Sequence, residues 1–155
     1  RRDRNLQVFR CGRLRDRVRL QRAMKGVNVV LHAAALKRVE VGEYNPTEMV
    51  RTNVLGTMNV VEAAQDENVE RVVAISSDKA CSPLNAYGAT KLTAEKLVLG
   101  ANAMRGAAGP IFAVCRYGNV AGSTGSVIPT WRGLASRIQS AFGDVMIAER
   151  IRGRS

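Results

Sequence analysis

Three short apolar runs, separated by amphipathic stretches, limit what this chain can fold into. The first is Val27-Asn28-Val29-Val30-Leu31-His32-Ala33-Ala34-Ala35, the second Arg71-Val72-Val73-Ala74-Ile75-Ser76-Ser77, and the third Ile111-Phe112-Ala113-Val114-Cys115-Arg116-Tyr117. Each has the length of a strand and reads as buried on both faces. Helix signals stand between them. Asn45-Pro46-Thr47-Glu48 supplies an N-cap and a proline at the first helical position. The spacing predicts a helix from there to about Glu67, with Val50, Val54, Val60, Val61 and Ala64 on its apolar side. A second helix is predicted from about Ala86 to Arg105, with Leu92, Leu97 and Leu99 apolar and Gly106 and Gly109-Pro110 ending it. Strands alternating with helices predict an α/β fold with a parallel sheet. The N-terminal part fits less clearly: Leu6 to Phe9 as a short strand, then Arg13 to Lys25 as a helix with Leu14, Val18, Leu20 and Met24 on one side.

Composition removes several function classes. The chain has 155 residues, enough for one domain, and 46% are hydrophobic. No apolar run approaches the roughly 18–20 residues of a membrane span. No apolar segment follows Arg1-Arg2-Asp3-Arg4, which argues against a secretory signal. Cys11, Cys81 and Cys115 are odd in number and widely spaced, which fits a reducing cytoplasm; Cys81 and Cys115 read as small core hydrophobes. The single histidine, His32, reads as structural, and no metal site is expected. The net charge of +11 sits in the ends: residues 1–25 hold ten basic and two acidic side chains, and residues 132–155 five and two. Arginine dominates both ends without interleaved aromatics, so specific nucleic-acid binding is not expected, although non-specific stickiness is.

Tyr87 and Lys91 carry the chemistry. They stand at i and i+4, on one face of a helix. An ammonium beside a phenol favours the phenolate, which can take the proton of a secondary alcohol while hydride leaves for a nicotinamide. The pair alone is a weak signal, because Y-x-x-x-K recurs by chance. Its placement adds weight. Ligands of open α/β sheets bind beyond the carboxyl ends of strands, where Ser76, Ser77, Asp78 and Lys79 fall, as do Ala33, Ala34 and Ala35. Small residues there let a cofactor approach the backbone.

Five segments then appear in order: His32-Ala33-Ala34-Ala35-Leu36-Lys37, Thr52-Asn53-Val54-Leu55-Gly56-Thr57, Ala74-Ile75-Ser76-Ser77-Asp78-Lys79-Ala80, Asn85-Ala86-Tyr87-Gly88-Ala89-Thr90-Lys91 and Arg116-Tyr117-Gly118-Asn119-Val120. Together they resemble the extended short-chain dehydrogenase/reductase superfamily. Within it they look like the polysaccharide-biosynthesis branch, and the inverting UDP-N-acetylglucosamine 4,6-dehydratases of pseudaminic acid synthesis in particular. Membrane-anchored dehydratases and some epimerases of that branch have Met at the position of Tyr87, so Tyr87 favours the soluble inverting type. The resemblance implies a partial Rossmann-type, doubly wound parallel sheet over residues 1–131, lacking the first βαβ unit and the C-terminal substrate domain, with residues 132–155 as a tail.

The resemblance also implies roles. Tyr87 and Lys91 form the oxidoreductase pair, with Ser77 beside them holding the hydroxyl that the family's Thr supplies. Lys79, acting neutral, takes the C5 proton, and Asp78 protonates the departing 6-hydroxyl. Ala33, Ala34, Ala35, Lys37, Asn53, Ser76, Tyr87 and Lys91 face the cofactor, with Asn53 supporting Lys91 through water. Lys37, Asn119, Ser126 and Val127 face the nucleotide sugar. The cofactor is NADP or NAD, the full-length family is homo-oligomeric, and the location is cytoplasmic. The departures are the absent glycine-rich dinucleotide fingerprint, Arg13 where the family has Asp, and Thr124 where it has Arg. With the parent strand order 3-2-1-4-5-6, the missing strands predict a gap in the sheet, exposed apolar faces and a match that stops after Pro129. The expectation is a dehydratase by descent, inactive as a fragment. The other readings are a 4-epimerase of the same branch and a non-catalytic basic binding fragment.

Overall fold

A computed structural model describes residues 6–10, 14–107, 109–118 and 145–149. The strands are β1 (Leu6–Arg10), β2 (Val29–His32), β3 (Arg71–Ser77), β4 (Ile111–Tyr117) and β5 (Val145–Glu149). The helices are α1 (Arg17–Met24), α2 (Val39–Tyr44), α3 (Pro46–Met49), α4 (Gly56–Asp66) and α5 (Ala86–Met104). A π-helical turn, Val50–Leu55, joins α3 to α4, and a 3-10 turn, Asp78–Ala80, follows β3.

The three apolar runs form the parallel sheet the sequence predicts. β2 pairs with β3 from Val29↔Arg71 to His32↔Ala74, and β3 with β4 from Arg71↔Ile111 to Ser77↔Tyr117. Val30, Val72, Ala74 and Phe112 point to one face. There they join Leu14, Leu20, Met24, Val60, Ala64, Val98 and Ala101 in a single core. Asp16 caps α1 by accepting from the Arg19 amide, and Arg17 ties α1 to α4 through Glu62 and Asp66. These exposed pairs fix direction more than they add stability.

Four expectations change. The sheet has no gap beside β2: β5 lies between β1 and β2, antiparallel to both, so the strand order is β1-β5-β2-β3-β4. Five residues of the expected tail therefore belong to the sheet, supplying the backbone partners β2 would otherwise lack. Secondly, β4 is not buried on both faces. Among the described residues it is an edge strand: Phe112 faces the core, whereas Ile111, Ala113, Cys115 and Tyr117 are exposed on the side that α5 does not cover. Thirdly, Cys115 lies on that open face and Cys81 in an exposed turn, so neither is a core residue. Fourthly, the stretch from Asn45 to Glu67 is not one α-helix. The π turn rotates the residues before it relative to those after it, which leaves Val50 exposed while Val60 and Val61 are buried. Val18 and Leu99, assigned to apolar faces, are also about half exposed.

Candidate active site

The carboxyl ends of β2 and β3, the first turns of α5 and the π turn meet at one edge of the sheet. Asn85 caps α5 by accepting from the Gly88 amide (2.8 Å), and Glu43 of α2 accepts from the Ala86 amide (2.6 Å). These caps hold Tyr87 at the helix start. Gly88 lets the helix lie against the turn after β3: a Cβ there would overlap the Lys79 carbonyl and crowd Pro83.

The structure brings Ser77, Asp78, Lys79, Tyr87 and Lys91 together. The Ser77 hydroxyl donates to Asp78 Oδ1 (2.7 Å), and Lys79 Nζ donates to the same oxygen (3.1 Å). Tyr87 and Lys91 are both buried, at 8% exposure each. Lys91 Nζ donates to the Ile75 carbonyl at 2.6 Å, which binds the α5 face to the end of β3.

Electrostatics depart from the sequence reading at two points. Burial pushes the Tyr87 phenol up to about 12, with Tyr117 and Asp78 adding to the rise and the Ser77 hydroxyl opposing it. Desolvation of a phenolate sets this direction, opposite to the drop toward neutrality expected from the sequence. Asp78 is held below the usual carboxylate range, first by Ser77 and then by Lys79. In this state Asp78 and Lys79 form an ion pair, the reverse of the acid and neutral base their roles require.

Asn53 is also buried at this site. Its amide clamps the loop after β2: Oδ1 accepts from the Leu36 amide (2.7 Å) while Nδ2 donates to the Leu36 carbonyl (3.0 Å) and Thr90 Oγ1 (3.1 Å). It therefore braces the 33–38 loop against α5 beside Lys91. The π turn presents it. Thr57, one turn later, donates to the Asn53 carbonyl (2.6 Å), so His32 Nε2 carries the proton and donates to Thr57 Oγ1 (2.9 Å). His32 is structural, as expected.

Ala33, Ala34 and Ala35 follow β2 and are buried, Ser76 is buried near the end of β3, and Lys37 is exposed on the loop between β2 and α2. Asn119, Ser126 and Val127 lie outside the described residues. A hollow of about 300 Å³ lined by Arg15, Arg51, Leu55, Met58, Asn59 and Glu62 shares no residue with this site. Sequence reasoning missed Glu95, buried one turn beyond Lys91 and bound to Arg116. A carboxylate on the buried stripe of a helix was the available signal.

Three parallel strands with the helix that bears Tyr87 and Lys91 packed at their carboxyl ends give a Rossmann-type α/β scaffold. The chain belongs to the polysaccharide biosynthesis protein family, whose profile matches residues 2–149. That match runs through β5, past the Pro129 limit expected from sequence. Curated relatives include a UDP-N-acetylglucosamine 4,6-dehydratase (inverting) of Campylobacter jejuni, 47% identical over 86% of this chain and 40% of its own length. An uncharacterised membrane protein of Methanocaldococcus jannaschii is 52% identical over 81% of this chain and 38% of its own. A UDP-glucose 4-epimerase of Rickettsia rickettsii is 47% identical over 78% and 36%. Among solved structures, Pen from Bacillus thuringiensis matches at TM-score 0.71 and 49% identity, over 75% of this chain and 36% of that one. MoeE5 in complex with UDP-glucose and NAD matches at TM-score 0.59 and 35% identity, over 63% and 36%. The chain thus spans less than half the length of the relatives it matches. Among the described residues no helix is long and apolar enough to cross a membrane.

Proposed function

We propose that this chain carries the active-site portion of a cytoplasmic nucleotide-sugar 4,6-dehydratase, acting on UDP-N-acetylglucosamine and inverting C5, in surface polysaccharide or flagellin glycan synthesis. The observation that carries the reading is the convergence of Tyr87, Lys91, Ser77, Asp78 and Lys79 at one sheet edge. The relatives named above support the substrate class.

The residues fit a nicotinamide cofactor, NAD or NADP, at its nicotinamide end. Ala33 to Ala35 offer only methyl groups, and Ser76 is buried near the end of β3. Ala33, Ala34, Ala35, Ser76 and Lys91 would line that end, with Lys37 on the following loop and Asn53 holding the loop in place. When bound, the cofactor supplies a hydride acceptor. Tyr87, which must first give up its own proton, would then take that of the sugar 4-hydroxyl as hydride leaves C4, and the resulting 4-ketone would acidify the C5 proton. Lys79 takes that proton, and Asp78 donates to the departing 6-hydroxyl. These two steps need the Asp78–Lys79 pair to exchange its proton, which desolvation by a bound sugar favours. They leave a 5,6-ene; return of the hydride to C6 and delivery of a proton to the opposite face of C5 would complete the loss of one water and invert that centre. Ser77 bridges the two halves of the site through Asp78. Lys37, Asn119, Ser126 and Val127 are assigned to the nucleotide sugar, and a homo-oligomer is the assembly proposed for the full-length protein.

The epimerase reading shares proton removal by Tyr87 but gives Asp78 and Lys79 nothing to do, and the close pairing of those two residues favours the dehydratase. The test is a thermal melt of the chain with and without NADP⁺ and UDP-N-acetylglucosamine. A rise equivalent to about 2.7 kcal/mol is expected at a hundredfold excess over Kd. A cooperative melt that neither ligand moves would contradict the assignment.

A further inference from the structure

We propose that Arg116 is a positioning residue for the site: its guanidinium holds the helix bearing Tyr87 and Lys91 in register with the turn bearing Asp78 and Lys79. The inference deepens the proposed function and rests on the reading of those four residues as catalytic.

Three elements meet at this one side chain. Tyr87, Lys91 and Glu95 stand at successive i+4 positions on α5, and all three are buried, Glu95 at 5% exposure. Arg116 is the penultimate residue of β4 and pairs in register with Ser76, two residues before Asp78. Its Nε donates to Glu95 Oε1 (2.8 Å) and its Nη2 to Glu95 Oε2 (2.6 Å), a fork that uses both carboxylate oxygens. The remaining Nη1 lies 3.3 Å from Cys81 Sγ, one residue beyond the Asp78–Ala80 turn. The same guanidinium therefore touches α5, belongs to β4 and rests on the catalytic turn.

Geometry requires arginine here. A lysine ammonium could meet one Glu95 oxygen or the thiol, whereas the planar fork meets both oxygens and leaves a third N–H facing Cys81. The pair holds Glu95 below its ordinary carboxylate range and Arg116 above its own, so both ends stay charged at any working pH. A buried carboxylate paired in this way is weak evidence for net stability, because desolvation offsets the attraction. A role in placement is the better account of it.

Hydrogen exchange on the chain decides the matter, with Arg116→Lys and Cys81→Ala as the variants. Arg116→Lys keeps the charge and breaks the fork. Cys81→Ala leaves the fork and removes only the third contact. Amide exchange across residues 78–81 is expected to quicken about fivefold or more in Arg116→Lys and to a smaller extent in Cys81→Ala, while β3 keeps its protection. In a full-length dehydratase into which residues 27–118 of this chain are grafted, kcat is expected to fall about tenfold with Arg116→Lys and KM to stay within twofold, as misplacement of catalytic groups predicts. Unchanged exchange at 78–81 in Cys81→Ala, together with unchanged exchange or global unfolding in Arg116→Lys, would overturn the proposal. Because exchange is read without turnover, a chain that proved inactive would count against the proposed function and leave this test intact.

Discussion

Two buried titratable side chains give this protein a pH signature that each can be made to reveal. His32 is pushed down to about 3 by burial, with the Lys91 charge adding to the effect. Its unfolded value is near 6.5, so the unfolded chain binds the extra proton first and stability is lost as pH falls from about 6.5 toward 3. His32→Asn, which can still donate to Thr57, is expected to flatten that acid limb by a few kcal/mol in urea titrations. Tyr87 has the opposite sense. Its folded value near 12 lies above an unfolded value near 10, so its contribution is complete below about 10 and lost as pH rises through 12. Tyr87→Phe should therefore lose less stability than the parent chain between pH 10 and 12, by about 2 kcal/mol, measured in the same titrations. At this scale the sequence revealed which residues meet but not their charge state. Spacing put Lys91 one turn from Tyr87; only the packed structure turns its ammonium onto the Ile75 carbonyl.

At the scale of elements, the site depends on two close approaches. Asn53 satisfies the Leu36 amide and carbonyl together, so Asn53→Ala leaves both without their partner and is expected to cost about 2–3 kcal/mol by urea melt. Gly88→Ala would drive a methyl into the Lys79 carbonyl. It is expected to destabilise by about 1–3 kcal/mol and to shift the turn carrying Asp78 and Lys79, read as altered amide shifts at residues 78–81. The Asn45 cap with Pro46 behind it was plain in the sequence, and Asn45 does accept from the Glu48 amide. The π turn was not, because one extra residue per turn leaves the apolar spacing nearly helical while rotating Val50 outward. The Glu95–Arg116 fork joins residues 21 apart, which no local pattern encodes.

At the scale of the whole molecule, the described residues form a sheet with one well-packed face. Val30, Val72, Ala74 and Phe112 meet helices, whereas the opposite face leaves Ile111, Ala113, Cys115 and Tyr117 exposed on the edge strand. Parallel strands are ordinarily covered on both sides, and an apolar face of this kind drives association. Sedimentation velocity should show an average mass that rises with concentration and falls back in Ile111→Glu. The alternation of strand and helix was enough to read the three parallel strands. The order of the sheet was not legible. β5 is a short apolar run far from its partners in sequence, and nothing local tells such a run that it will lie antiparallel between β1 and β2.

The central claim is that this site removes water from a nucleotide sugar. The direct measurement is turnover by a chimera in which residues 27–118 replace the matching segment of the Campylobacter dehydratase. Incubated with UDP-N-acetylglucosamine in deuterated water, the folded chimera is expected to give a product that has lost one water and carries deuterium at C5. Lys79→Ala in the same chimera should abolish that product. Formation of the 4-epimer alone, with no loss of water, or a Lys79→Ala chimera that dehydrates as well as its parent, would contradict the account.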